Sequence, residues 1–291
     1  MISLSQDEVM QNWTDSYTKP LVSIDCIAYN HEDYVSAALD GFLIQKTNFP
    51  FEILIHDDAS TDKTAAIIKD YEKKYPLIVK PIYQSENQWS KGGGSISAKF
   101  NYPRVTGKYI ALCEGDDYWI DENKLQKQVD FLESHPDYSA CFHRAQVLSE
   151  GELSDSVYRH LREGEYDANA ILKHWTVPTA SFVFRAEFKD KIPIDADFMY
   201  GDIVLFETVA HYGKLYCLSD TMSVYRRVES GITGTQHKNR TFELYKRTDR
   251  HYKALRRHFP RISCVLIAKL RMINFLFSLA FMIRKYVLRS V

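Results

Sequence analysis

The chain has 291 residues, 45% hydrophobic and 26% charged, a composition that builds a buried core and excludes disordered, collagen-like and low-complexity classes. Its 37 Lys and Arg against 38 Asp and Glu leave a net charge of −1, so there is no global basic field to attract nucleic acid. Five scattered cysteines without a Cys-x-x-Cys pair exclude a disulfide framework or a zinc ribbon.

The first residues, Met1 to Glu8, carry neither the basic stretch nor the apolar run of a signal peptide, which predicts a cytoplasmic protein. Residues 1–19 read as a polar lead-in ended by Pro20. Leu21 to Ala28 is a short β-rich run, after which Asp33 can cap a helix with Tyr34, Ala37, Ala38, Phe42 and Leu43 on its apolar face. Phe51 to Ile55 gives a second strand, followed by a helix with Ile67, Ile68 and Tyr71 on one side. Leu77 to Tyr83 gives a third strand, then comes a loop through Gly92, Gly93 and Gly94, and Tyr109 to Cys113 gives a fourth strand. Leu125, Val129 and Leu132 mark another helix before a strand near Tyr138 to Phe142. This alternation predicts an α/β fold with a mostly parallel sheet flanked by helices. Further on, a helix near Ala168 to Trp175, a strand Ser181 to Phe184 and a helix from Asp202 are expected.

The tail differs in charge. From Lys238 to Val291, 14 basic residues accompany 2 acidic ones, leaving 23 basic against 36 acidic before them. Residues 236–258 read as a basic helix, Pro260 interrupts it, and 262–290 read as a second. Within that second helix Met272 to Ile283 is uncharged over 12 residues and bounded by Arg271, Arg284 and Lys285. The run falls short of the roughly 20 residues that cross a bilayer. It predicts peripheral membrane contact through 262–291, drawn by anionic headgroups. The alternative is a helix packed on the domain or on a second copy of the chain.

In open sheets, ligands bind beyond the carboxyl ends of the strands, and here those ends are polar. Cys113-Glu114-Gly115-Asp116-Asp117-Tyr118-Trp119 follows an apolar strand. Adjacent carboxylates repel, and a divalent cation or backbone donors relieve that cost. Hard oxygen ligands suit Mg²⁺ or Mn²⁺ shared with substrate phosphates. A helix-capping cluster is the competing reading. Asp57-Asp58-Ala59-Ser60-Thr61-Asp62 is a second acidic strand end, where a carboxylate can accept from a base or ribose and where Thr61 or Asp62 can equally be an N-cap. Lys91 and Lys99 flank the glycine loop and can meet a base or phosphates. No P-loop and no Gly-x-Gly-x-x-Gly occurs, which weakens NTPase and dinucleotide readings. His174-Trp175-Thr176-Val177-Pro178-Thr179-Ala180 combines an aromatic with hydroxyls, and Trp119, Trp175 and Thr179 are candidates to border a sugar acceptor, with core packing as the alternative.

Taken in order, Val22-Ser23-Ile24-Asp25-Cys26-Ile27-Ala28-Tyr29-Asn30, then His56-Asp57-Asp58-Ala59-Ser60-Thr61-Asp62-Lys63-Thr64, then Glu114-Gly115-Asp116-Asp117 resemble the family 2 glycosyltransferases of the GT-A fold. The resemblance covers Pro20 to Tyr225. It implies an inverting enzyme that uses a nucleotide-diphosphate sugar, a UDP-sugar first, with Mn²⁺ or Mg²⁺, on a saccharide or lipid-linked acceptor. By position, Tyr29 and Asp58 would hold the base, with Ala28, Asn30, Asp57, Lys91 and Glu114 in the same nucleotide-sugar site, and Lys99 stands where the family often has an arginine. Asp116 would face the ribose, Asp117 the metal and diphosphate, with Arg226 a further diphosphate contact. Tyr200-Gly201-Asp202 occupies the place of the family's Glu-Asp pair, which makes Asp202 the catalytic base, with Asp195 and Asp197 next in line. Glu114 replaces the commoner Asp, Gly201 replaces the first acid of the pair, and Val228 stands where a histidine is frequent. The resemblance divides the chain into the lead-in 1–19, a GT-A domain 20–235 with a nucleotide-sugar half (20–145) and an acceptor half (146–235), and an extension 236–291. It places the protein at the inner face of the membrane, in glycan biosynthesis. The rivals are a sugar nucleotidyltransferase and a non-catalytic nucleotide-sugar or glycan-binding subunit.

Overall fold

The computed structural model describes residues 3–14, 18–92, 95–174, 177–228 and 242–287, with side chains described as far as Phe281. The lead-in is more than polar chain. It holds α1 (Gln6–Met10), whose Ser5 hydroxyl accepts the Glu8 amide while the Glu8 carboxylate accepts the Ser5 amide, a capping box. Val9 is buried, and the Tyr75 hydroxyl donates to Leu4 O.

β1 (Val22–Ala28), α2 (Val35–Leu43), β2 (Phe51–Asp57), α3 (Thr64–Lys74), β3 (Val79–Tyr83) and β4 (Tyr109–Leu112) form the strand–helix alternation read from the sequence. β1 lies between β2 and β4, parallel to both, with Val22 opposite Phe51 and Tyr109. It is covered on both faces, and its two buried polar residues are partnered: Ser23 Oγ donates to Glu52 at 2.6 Å and Asp25 accepts from Asn101 at 2.7 Å. α2 starts at Val35, so that Tyr34 rather than Asp33 is at the cap position, with no side-chain cap. Gly41 lets α2 press on the main chain that follows the acid loop: a Cβ there would sit 2.8 Å from Trp119 O.

After β5 (Tyr118–Trp119), α4 (Lys124–Ser134), β6 (Tyr138–Ser149), β7 (Glu152–Ser154), β8 (Gly164–Tyr166) and α5 (Ala168–His174), the sheet takes an antiparallel insertion, β9 (Val183–Arg185). β9 runs against both β4 and β6. The expected strand from Ser181 begins later because Thr179–Ser181 is a 3₁₀ turn in which Ser181 Oγ donates to Pro178 O. α6 (Gly201–Tyr212) and β10 (Lys214–Arg226) complete the core, and the strand order is β3-β2-β1-β4-β9-β6-β10-β5. The sheet is therefore parallel on one side and mixed on the other.

Of the tail helices, α7 (Phe242–His258) and α8 (Cys264–Val287) are described, and the expected start at 236 lies outside the described residues. Leu255, Phe259, Ile262 and Ile267 are buried with Phe182, Phe206 and Val209 in the second of two apolar cores. α7 is also tied to the segment before α6. Asp195 pairs with Arg257 and accepts from His258 Nε2 at 2.8 Å, and the Met199 amide donates to His251 Nδ1 at 3.3 Å.

The Arg257 guanidinium, the Asp197 amide and His258 hold the Asp195 carboxyl well below the usual carboxylate range. That stabilisation is complete above the ordinary carboxylate pKa of about 3.9 and is lost as pH falls toward the depressed folded value. Asp195→Asn should cost about 1 kcal/mol at pH 7, roughly 3 °C in Tm, since the arginine is half in solvent. Calorimetry should show the gap between wild type and variant closing below about pH 3; a gap that persists there would mean that charge is not its source.

Candidate active site

The acid loop is built where β4 ends. Gly115 donates its amide to Ile27 O at 2.9 Å, and a Cβ on it would lie 2.9 Å from His31 Nδ1 and 3.1 Å from Ala28 Cβ. Only glycine lets Glu114, Asp116 and Asp117 lie this close to the end of β1. Asp117 is buried, and its Oδ1 accepts the Arg226 amide at 2.8 Å. The Arg226 guanidinium donates to Asp116 O at 2.8 Å and rests 4.3 Å from the Tyr118 ring centroid and 5.3 Å from that of Tyr34, so aromatic faces hold it in place.

Negative charge is in excess here. Burial, then Asp116, pushes the Asp117 carboxyl up, with the Arg226 amide opposing. Desolvation at the loop, then Asp116, Asp202 and Asp25, pushes the Glu114 carboxyl up as well, although its side chain reaches solvent. Two or three hard oxygen donors short of positive charge fit a divalent cation. Among the described residues no three His, Cys, Asp or Glu form a metal-holding group. An ion held by Asp116 and Asp117 would take its other ligands from water and substrate oxygens, as Mg²⁺ and Mn²⁺ sites commonly arrange.

The nucleotide side is more closed than the sequence suggests. Tyr29 is 43% exposed and free to stack, and Ala28 is buried beneath it. Asn30 is in the left-handed region (φ 54°), donates its amide to Ser60 Oγ, and accepts from the Thr61 amide. It thus joins the ends of β1 and β2. Asp57 accepts from the Ser60 amide at 3.3 Å, while its Oδ1 is buried without a partner. Asp58, expected to be an open acceptor, is 2% exposed and accepts from the Gln88 and Trp89 amides at 2.7 and 3.0 Å. Its carboxylate anchors the loop after β3. Lys91 pairs with Glu86, and exposed Lys99 donates to Gly92 O at 3.4 Å; Gly93 and Gly94 lie outside the described residues. His31, not singled out in the sequence, stands 3.9 Å from Asp116 Oδ2, with a buried, unpartnered Nδ1. Its one signal was its place in the turn after β1.

Asp202 is the second residue of α6, behind Tyr200 at the cap position, so it is not the N-cap. Its Oδ1 accepts the Ile203 amide at 2.8 Å, and burial pushes its carboxyl up despite the helix end. A raised pKa makes a carboxylate a stronger base. Asp202 is among the charges that raise the Glu114 carboxyl. The fallback bases do not share that position. Asp195 and Asp197 are paired with Arg257, and Asp197 also with Arg250 at 3.7 Å.

Trp119 is a correction. It is 2% exposed, donates Nε1–H to Ala180 O at 2.8 Å, and packs edge-on against Phe42. The ring also takes the buried Lys124 ammonium 3.9 Å from its centroid, so it presents no face to an acceptor. Thr179 is half-buried in its 3₁₀ turn, and Trp175 lies outside the described residues.

The family model for Glycosyl transferase family 2 matches residues 23–227. The chain belongs to this family. Among its relatives is the uncharacterized protein Rv1520 of Mycobacterium tuberculosis, 40% identical over 221 residues, which are 75% of this chain and 62% of that protein. The family 2 chain thus spans less than two thirds of the length of this relative and its mycobacterial counterparts. Residues 1–349 of S. aureus TarS, solved with UDP-GlcNAc, align with a TM-score of 0.60 at 17% identity over 83% of this chain and 73% of that one. The mannosyltransferase PcManGT of Pyrobaculum calidifontis, solved with GDP-Man and Mn²⁺, aligns with a TM-score of 0.58 at 15% identity over 86% and 70%. These likenesses establish the GT-A fold.

If Asp117 holds a metal, Asp117→Asn should abolish the Mn²⁺-dependent rise in Tm that UDP gives, with the apo Tm nearly unchanged. A thermal-shift titration in which the variant keeps its metal dependence removes that role.

Proposed function

We propose that the chain is an inverting glycosyltransferase that moves a sugar from a nucleotide diphosphate, a UDP-sugar first, onto a hydroxyl of a saccharide or lipid-linked acceptor in glycan biosynthesis. What supports the reading is the loop of Glu114, Asp116 and Asp117 that Arg226 closes, together with Asp202 at the start of α6, whose charge acts on Glu114. Tyr29 offers its exposed ring to the base. Asp116 and Asp117 would hold Mg²⁺ or Mn²⁺ together with the donor diphosphate, and the Arg226 guanidinium adds fixed positive charge beside it. The bound ion supplies charge neutralisation as the nucleoside diphosphate departs. Asp202 takes the proton of the acceptor hydroxyl. The acceptor oxygen then bonds to the anomeric carbon as the bond to the diphosphate breaks, which inverts that centre in one step and needs no nucleophile from the chain.

Asp202→Asn keeps an oxygen for the Ile203 amide and removes the base. Transfer from a UDP-sugar should fall by about 10² to 10⁴, with UDP binding and Tm nearly unchanged. Transfer within a few fold of wild type would assign the proton to another group, and a wild-type chain that binds the donor without turning it over would favour the non-catalytic binding subunit.

The site is proposed to work at a membrane surface. α8 has 24 residues, longer than the uncharged run alone indicates, and it leaves Val265, Met272, Phe275, Leu276 and Phe277 exposed, Phe275 by 60%. By length and composition it is apolar enough to cross a membrane. Its other side is docked on charged α7 through Arg271 to Asp249 at 2.6 Å and Asn274 to Tyr245 O at 2.8 Å, which favours lying in the interface. Because Ile262 and Ile267 are core residues, deleting 262–291 would open the fold. The better variant carries Phe275→Ser, Leu276→Ser and Phe277→Ser. It should keep its Tm and lose sedimentation with anionic liposomes, and binding by the wild type should weaken in high salt; unchanged sedimentation of the variant argues for a protein partner on this face.

A further inference from the structure

A cavity of about 200 Å³ lies between β6, β10 and the chain joining β7 to β8. Arg144, Thr221, Asp155, Tyr158, Arg159 and Arg162 line it, three guanidinium groups against one carboxylate. Among the described residues none of the three arginines has a carboxylate partner. Arg162 donates to Arg159 O and Leu161 O, which shapes the loop, while Arg159 is exposed. Arg144 is half-buried with its Nε shut from solvent and unpartnered. An orphaned charged donor of this kind is costly unless something accepts from it. The space exists because the β6–β10 register slips on either side of Thr221, which stands opposite Arg144, a bulge of the sort that re-aims side chains next to sites.

The location matters as much as the charge. Tyr158 belongs to the cavity wall, and so does Thr221, two residues before Ser223, which pairs with Trp119 just past Asp117. The cavity therefore lies a short step along β10 from the strand that follows the acid loop. Arg226, the cation that serves the acid loop, is not part of its lining. At about 200 Å³ it is smaller than sites for drug-sized ligands, roughly 300 to 1,000 Å³, and suits a compact group. Guanidinium forks match phosphate oxygens in pairs, and an excess of two positive charges matches a diphosphate better than a single carboxylate.

We propose that this pocket is an acceptor subsite that binds a phosphate or diphosphate ester near the hydroxyl that Asp202 deprotonates. The proposal rests on the glycosyltransferase reading. Two sources share this chemistry, a lipid diphosphate carrying the acceptor sugar and a phosphate-bearing polymer.

The test is calorimetric titration of the full chain with geranyl diphosphate, inorganic pyrophosphate and glycerol 3-phosphate, in EDTA, so that the acid loop has no cation to bridge an anion. At least one probe should bind, more weakly as salt rises. Arg144→Gln and the surface variant Arg159→Glu should each weaken that binding tenfold or more, and Mn²⁺-dependent UDP binding by Arg159→Glu should match wild type. Tighter binding of geranyl diphosphate supports the subsite with a lipid diphosphate in it, and tighter binding of glycerol 3-phosphate supports it with a phosphate-bearing polymer. No binding of any probe, or equal binding by wild type and Arg159→Glu, overturns the subsite even where UDP binding stands. Loss of UDP binding in the wild type would instead overturn the glycosyltransferase reading.

Discussion

The contact between Asp117 and Arg226 joins residues 109 positions apart, and the arrangement of the site depends on it. Asp117 closes the loop after β4, and Arg226 ends β10, so one hydrogen bond joins the parallel and mixed sides of the sheet. A buried carboxylate next to Asp116 is unfavourable by itself. The Arg226 amide and guanidinium offset part of that cost, and what remains is an unmet demand for positive charge. The acid loop is thus held in shape by the protein and left electrically incomplete, the condition in which a cation and a diphosphate bind together.

Much of the site was legible because strand ends are local features. An apolar run followed by adjacent carboxylates announces a loop at the edge of a sheet, and Gly115 between Glu114 and Asp116 has a steric reason that the structure supplies. Asp202 was legible as an acid opening an apolar helix. What was hidden depends on residues distant in sequence. Nothing near Asp58 indicates that the Gln88 and Trp89 amides will occupy it. For Trp119 the sequence leaves an acceptor border and core packing both open, and only Lys124, Phe42 and Ala180 O, which surround it, decide for the core. The three-residue β9 carries no periodicity long enough to reveal its direction, and the parallel alternation on either side masks it.

The tail illustrates the same limit from the side of charge. Its basic composition suggests an independent surface, yet Arg257 and His258 spend their donors on Asp195, and Leu255, Phe259 and Ile262 enter the core beside α6. The segment running into Asp202 is therefore braced by α7. Composition reports how many charges a segment has, whereas their partners are set by topology.

Gly41 has a consequence for how defects in this fold would present themselves. It sits on α2, where a Cβ would lie only 2.8 Å from Trp119 O, and Trp119 lies two residues beyond Asp117. A single added methyl would push on the main chain that positions the acid loop while leaving every carboxylate, arginine and aromatic of the site in the sequence. The lesion would be one of alignment rather than composition: a folded chain with its full set of chemical groups and the wrong spacing between them. Misplacement on the order of 1 Å costs an enzyme about a hundredfold, so a carbon atom far from the reacting bond can silence the site as effectively as the loss of an acid.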